Sequence, residues 1–301
     1  MDLKQLERFV IVAEMGNIGL AAARLGLSQP ALTRSLHMLE ETVGGALFDR
    51  LPRGVRLTAV GQALLPQARL VLADRARLAA TIAAFKGLSG GSVVFGASPN
   101  LVETLGMDAV LAFARQHPRV GVTIHVGAFA ELARGLREGD LDLALSTVGS
   151  ETVPPELTFE PLFEQMMSIV ARGGHPLAGA DMVTFAELST RDWIVTNGAA
   201  AIAGLNRTFE AHGATPPFFA IRCQSLNLQK KLLLGGDYLA IMDQAFIRAE
   251  LETGAIRVLK TQSEGVLLRS GLLYRAEDAR TPAANALARC VRGGMAQKPK
   301  R

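Results

Sequence analysis

The sequence predicts two unlike halves: a small all-helical unit carrying a β hairpin and a long helix, and then a larger α/β domain of two lobes. Three observations predict this. Apolar residues between 3 and 43 recur at helical spacing, and a run from Thr58 to about Lys86 keeps that period without a break. After the Gly/Ser-rich stretch "GLSGGS" at 87–92, short apolar strands alternate with helices, the pattern of a parallel sheet with crossover helices. At 301 residues and 49% hydrophobic content, the chain has core enough for two or three compact units. No apolar run reaches the roughly 18 to 20 residues of a membrane span, and "MDLKQLERF" is not a signal segment. The expectation is a cytoplasmic protein with no membrane partner.

Charge is unevenly placed. Of a formal net charge of +4, residues 1–88 hold 11 Lys and Arg against 7 Asp and Glu, while residues 89–301 hold 21 of each. A basic surplus confined to a small helical unit suits nucleic acid, although a solvated face explains it equally well. Cys223 and Cys290 lie far apart without metal-ligand spacing, which predicts two buried, reduced thiols with no support for a redox role.

The first helix is announced by Asp2 and Gln5, a capping box, followed by Leu3, Leu6, Val10 and Ala13, and it should end near Gly16. Ile18, Ala21, Ala22 and Leu25 form the stripe of a second, short helix that Gly26 breaks. Ser28 then caps a third helix whose Leu32, Leu36, Leu39 and Val43 point inward at spacings of 4, 3 and 4. This is a helix-turn-helix, with Leu27 beneath the turn. On the outer face lie Pro30, Thr33, Arg34 and His37, and Ser28 and Gln29 stand at the helix N-terminus, placed to meet phosphates and base edges in a major groove. A plain three-helix bundle with a solvated face has the same periodicity.

The segment "ALFDRLPRGVRLTAVGQALL" favours DNA. It predicts two short strands around Phe48 and Val55–Leu57 with a Pro-Arg-Gly turn, so that Arg50, Arg53 and Arg56 ride on a wing beside the third helix. Thr58 caps the long helix, along which Leu64, Val71, Leu78 and Phe85 recur every seven residues. Such a seam suits dimer pairing, with two recognition helices reaching successive major grooves; packing on the chain's own domains is the alternative.

In "AAARLGLSQPALTRSLHMLEETVGGALFDR", the wing "LPRGVRLTAVGQALL" and the linker helix behind them, the chain resembles the LysR-type transcriptional regulators. The resemblance is strongest over residues 3–65 and fits the element order of all 301 residues; Ile18–Leu20 depart mildly from the usual pattern. It implies a winged helix-turn-helix domain at 1–58, a dimerisation helix at 59–88, and a periplasmic-binding-protein-like effector domain at 89–301. Carried over by position, the DNA-contacting residues fall on Ser28, Gln29, Pro30, Thr33, Arg34, Arg50 and Arg53. A homodimer or homotetramer on operator DNA, contact with RNA polymerase and ligand-shifted spacing of the DNA-binding pairs are what the resemblance implies.

Within 89–301 the expected strands are "SVVFGASP", "VGVTIHV", "LDLALS", Leu157–Phe163, Met166–Ala171, "DWIVTNG", "FFAIRCQS", "YLAIMD" and "GVLLRSGLLYR". The last of these, with a helix from about Pro282 to Arg292, returns the chain to a first lobe of about 89–160 and 266–301; the second lobe is about 161–265. Ligands in such folds sit beyond strand ends, near helix N-termini whose free N–H groups favour anions. Ser98, Pro99 and Asn100 follow the first strand, Ser146 and Thr147 lie at the crossing, and Thr196, Asn197, Gln224 and Ser225 end strands of the second lobe. Together they predict a cleft for an organic or aromatic acid, although each one singly suits a cap or turn.

No enzyme signature appears: "GASPN" lacks the closing glycine of GxSxG, and neither a P-loop nor HExxH is present. His37, His117, His125, His175 and His212 are scattered without ligand spacing, and Asp140 and Asp142 suit a strand start. The chain is therefore expected to be a regulator with no catalytic residues, cofactor or metal. A bilobal binding protein or enzyme would leave the first 88 residues unexplained.

Overall fold

A computed structural model of the chain describes residues 1–85, 91–149, 152–196, 199–263, 266–276 and 280–296. Helix α1 (Leu3–Met15) begins with the capping box: Gln5 N donates to Asp2 Oδ1 and Asp2 N to Gln5 Oε1, both at 2.8 Å. It ends at Gly16, where φ of +60° lets the chain turn. Asn17 caps α2 (Ile18–Arg24), and Gly26, again at positive φ, leads to Ser28 and α3 (Gln29–Val43). Leu32, Leu36 and Leu39 are buried against Leu6, Phe9, Val12 and Ala22; Leu27 and Val43 are half-buried. Full burial of one such leucine contributes about 1.5–3 kcal/mol.

Strands β1 (Phe48–Leu51) and β2 (Gly54–Leu57) pair antiparallel as the wing. Val55 N donates to Gly16 O at 2.8 Å, which ties the wing to the turn after α1. Gly54 has φ of +125°, and a Cβ there would overlap that same carbonyl oxygen, so this approach requires glycine. Thr58 Oγ1 accepts from Gly61 N at 3.1 Å and starts α4 (Ala59–Phe85), which continues through Pro66.

The heptad seam is corrected in part. Leu64 packs into the helical unit's own core, because the first turns of α4 lie against α1. Val71 and Leu78 are exposed, at 43% and 61%, and share a face with Val60 and Ile82. The helix carrying Phe85 is described, but its side chain, like residues 86–90 of the expected linker and hinge, lies outside the described residues. Lower down, Arg69 joins the halves: its guanidinium meets Glu138 at 2.8 Å and Glu14 at 3.4 Å.

The α/β domain runs β3 (Gly91–Ala97), α5 (Pro99–Leu101), a π-helical turn (Val102–Gly106), α6 (Met107–Gln116), β4 (Val120–Val126), α7 (Phe129–Glu138) and β5 (Leu143–Val148). It continues through β6 (Leu157–Arg172), α8 (Phe185–Ser189), β7 (Asp192–Val195), α9 (Ala199–Ala211), β8 (Ile221–Arg222), α10 (Leu226–Gly235) and β9 (Tyr238–Asp243). It closes with α11 (Arg248–Glu252), β10 (Ile256–Val258), β11 (Val266–Arg275) and α12 (Pro282–Ala296). Strand order is β4-β3-β5-β11-β6-β9-β7-β8, with β10 beside β6.

The sheet is mixed where the alternation predicted parallel. β3 is parallel to β4 and β5, and β7 to β8 and β9, but the crossing strands β6 and β11 run antiparallel to each other and to their neighbours. Two expected strands at 157–171 are one strand of 16 residues: the polar Glu164 and Gln165 mark no break, because pairing with Arg269 and Leu268 of β11 holds their backbone. "FFAIRCQS" contributes only Ile221–Arg222 to the sheet, and the helix after β3 is interrupted by the π turn. One core gathers Phe95, Phe113, Leu145 and Leu287; another gathers Phe185, Trp193, Phe209 and Leu239. Each lobe thus has its own core, with β6 and β11 passing between them.

Candidate functional site

Gln29, Pro30, Thr33, Arg34 and His37 line one open concavity on α3. All but the half-buried Thr33 are exposed. Ser28 accepts from Ala31 N at 3.4 Å and so acts as the helix cap, and His37 stands 3.4 Å from Glu41. Two braces fix this face. Arg8 Nη1 donates to Ser35 Oγ at 2.7 Å from α1, and Leu47 N donates to Glu40 Oε1 at 2.8 Å from the start of the wing. On the wing Arg50 and Arg53 are exposed, whereas Arg56 lies 3.5 Å from Asp49. Arg34, Arg50 and Arg53 make no ion pair with any described residue, which leaves their charge available to phosphate.

Beyond the strand ends of the α/β domain the polar groups are buried and paired with one another. Ser98, 5% exposed, does not cap its helix; its Oγ lies 3.3 Å from Ser146 Oγ and accepts from Thr147 N at 3.3 Å. Gln165 of β6 is the centre of the cluster. Asn100 Nδ2 donates to its Oε1 at 2.9 Å, Thr147 Oγ1 at 3.1 Å and Ser270 Oγ at 2.9 Å, while its Nε2 donates to Asp243 Oδ2 at 2.8 Å. Asn100, Thr147, both crossing strands and the end of β9 therefore meet at one side chain.

Four of the predicted cleft residues, Ser98, Asn100, Ser146 and Thr147, come together here, and Pro99 lies half-buried beside them. Thr196 stands half-buried just after β7, outside this network. Asn197 lies outside the described residues. Ser225 caps α10 through Leu228 N at 3.3 Å, and Gln224 is exposed. The lobes also touch near there, where Asn227 Nδ2 donates to Glu103 Oε1 at 3.1 Å. Gln165, Ser270 and Asp243 escaped the sequence reading. Polar residues inside the largely apolar runs "FEQMMSIV" and "LLRSGLL", and at the end of "YLAIMD", are the available signal.

Both cysteines are free but half-buried rather than fully buried: Cys223 sits at the end of β8, and Cys290 packs at the margin of the first lobe's core, its Sγ 4.0 Å from Gln116 Oε1; burial pushes the Cys290 thiol up. Burial likewise raises the Asp142 carboxyl, opposed by a 2.8 Å hydrogen bond from Val94 N and by Arg77. Glu160 is held low by Arg292, whose Nε and Nη2 both reach it at 2.7 Å. Burial lowers His175, whose Nδ1 accepts from Leu177 N.

Residues 3–62 match the model of the bacterial regulatory helix-turn-helix proteins of the LysR family, and residues 86–296 match the LysR substrate binding domain. The chain belongs to the LysR family of transcriptional regulators. It is similar to the HTH-type transcriptional regulator GalR of Pseudomonas putida, with 31% identity over 96% of this chain and 73% of that protein. A second LysR-family relative, the SDS degradation transcriptional activation protein of a Pseudomonas species, is 32% identical over 95% of this chain and 94% of its own length. The fold is that of ArgP from Mycobacterium tuberculosis, at a TM-score of 0.75 and 20% identity over 99% and 98% of the two chains. The LysR assignment makes this a DNA-binding regulator with a small-molecule-binding domain. Among the described residues, no helix is long and apolar enough to cross a membrane.

Proposed function

We propose that this regulator docks α3 in the major groove of its operator, with Ser28, Gln29, Pro30, Thr33 and Arg34 toward bases and adjoining phosphates. Arg50 and Arg53 follow the flanking backbone from the wing. The observation that carries this reading is the contrast on one surface: Arg34, Arg50 and Arg53 stand exposed without carboxylate partners among the described residues, while Arg8, Glu40 and Ser35 hold the helix beneath them. The working units are 1–58 for DNA, 59–88 for dimerisation and 89–301 for effector binding, with lobes of 89–160 plus 266–301 and 161–265. The exposed Val71 and Leu78 support pairing of two α4 helices, and a dimer or tetramer of this chain places two recognition helices one helical turn of DNA apart.

The effector binds between the lobes, at Ser98, Asn100, Ser146 and Thr147, with Pro99 shaping the wall and with Thr196, Gln224 and Ser225 contributed by the second lobe. Hydroxyl and amide donors at strand ends favour an oxygen acceptor, in keeping with an organic acid or a related compound. The chain acts by binding in the cytoplasm, without catalysis, and signals to RNA polymerase through the arrangement of its DNA-binding pairs. Footprinting the full chain on DNA flanking its own gene tests this. The expected outcome is a protected region that Arg34→Ala or Arg53→Ala shifts to higher protein concentration, as a loss of about 1–3 kcal/mol requires; protection at the wild-type concentration with both substitutions refutes the assigned DNA face.

A further inference from the structure

We infer that the cleft is shaped for a carboxamide-like group, and that the chain's own Gln165 fills that position until an effector replaces it. This rests on the cleft between the lobes being the effector site. Gln165 is 4% exposed, and its oxygen lies within 3.1 Å of Asn100 Nδ2, Thr147 Oγ1 and Ser270 Oγ. The Thr147 and Ser270 hydroxyls are themselves 3.0 Å apart, so two hydroxyl protons serve three oxygen–oxygen contacts. That wall is a cradle for a strong acceptor.

The opposite wall has the reverse character. Asp243 is 7% exposed; its Oδ1 accepts from Ala245 N at 3.0 Å, and its Oδ2 accepts from Gln165 Nε2 at 2.8 Å. A bare carboxylate seated in the cradle would turn its second oxygen, an acceptor without a proton, toward Asp243 Oδ2, which itself accepts a hydrogen bond here, so that acceptor would face acceptor. The occupant that satisfies both walls carries an acceptor oxygen and, on the neighbouring atom, an N–H or O–H donor. A primary carboxamide does this, and Gln165 already does. Asn100 and Thr147 belong to the first lobe, Ser270 to a crossing strand and Asp243 to the second lobe. An effector that takes over these contacts therefore releases Gln165 and changes what ties the lobes together.

Gln165→Ala and Gln165→Ser both empty the position in the full chain, the serine variant keeping a short polar group should the alanine one not fold. Thermal unfolding is followed with acetamide and with acetate, which share size and shape, at neutral pH. Acetamide is expected to raise the unfolding midpoint of a cavity variant saturably and acetate is not; wild type, with its own carboxamide in place, should require more acetamide. Gln165→Met fills the space without polar atoms and should respond to neither. A response to acetate alone overturns the carboxamide assignment while leaving the cleft a ligand site. No saturable response to either compound in a folded cavity variant overturns both.

Discussion

The proposed DNA face and the proposed effector cleft are both polar, and they are built in opposite ways. On α3 and the wing the functional groups stand exposed, and the order beneath them comes from a dry core and two braces, Arg8 to Ser35 and Leu47 N to Glu40. In the cleft Ser98, Ser146, Gln165, Ser270 and Asp243 are each less than 9% exposed and are paired with one another. The difference follows from the partners. DNA brings its own dense negative charge, which suits a surface where Arg34, Arg50 and Arg53 make no ion pair with any described residue. At the proposed effector site the polar groups, left unpaired in a buried position, would each cost about 1–3 kcal/mol, and they are paired internally.

That contrast breaks first, and by the largest amount, in the support of the DNA face. Leu39→Ala, at a position with no exposure, should destabilise the helical unit by about 2–5 kcal/mol and remove operator binding with it. Thermal unfolding followed by circular dichroism would register this as an early transition; an unchanged profile would place the core elsewhere. Next comes the face itself. Arg34→Ala should cost about 1–3 kcal/mol of operator affinity in gel-shift titrations while leaving the unfolding midpoint in place, because the side chain supports nothing beneath it. The cleft should behave the other way round. Thr147→Val removes a donor to Gln165 and should cost about 1–2 kcal/mol of stability in the α/β domain as well as weakening effector response. If its stability equals that of wild type, the Thr147 hydroxyl is not engaged as described.

The smallest effect sharpens the comparison from the edge of the first lobe. Arg292 holds the Glu160 carboxyl below its ordinary value, so the folded state binds that proton less tightly than the unfolded one. The pair's contribution is therefore complete above the ordinary carboxylate range and lost as pH falls through the lowered value. Because both side chains are about a third exposed, at 38% and 29%, the effect should be no more than about 1 kcal/mol. Glu160→Gln should be less stable than wild type at neutral pH, with the gap closing under acid. A gap that persists there would assign the cost to packing instead of charge.

How far the sequence reached follows the same division. The capping box at Asp2, the glycines at 16 and 26, the Ser28 cap and the inward leucines are local signals, written within a few residues of one another, and the structure places each as expected. The outward residues of α3 follow from the same periodicity. In the α/β domain the local signals found most elements, but the cleft depends on residues such as Asn100, Gln165 and Asp243 that meet only through sheet topology. No spacing rule joins positions 65 and 78 residues apart. Strand β6 was split at Gln165 for the same reason: a polar residue in a strand signals a turn unless the partner that satisfies it is known. On α4 the heptad includes Leu64, which packs against the helical unit's own core, because a seven-residue period alone does not say which turn of a helix faces its own domain.

The central claim is that cleft and DNA face form one linked system, and reciprocal affinity measures it most directly. Take the first small molecule that shifts the operator footprint, and determine by titration its affinity for the full chain with and without saturating operator DNA. If it changes operator affinity by some factor, its own affinity must change by that same factor when DNA is bound. Equality of the two factors is the result this account requires. An effector affinity indifferent to DNA, alongside a footprint that still shifts, would mean that the cleft is not the site through which the regulator is controlled.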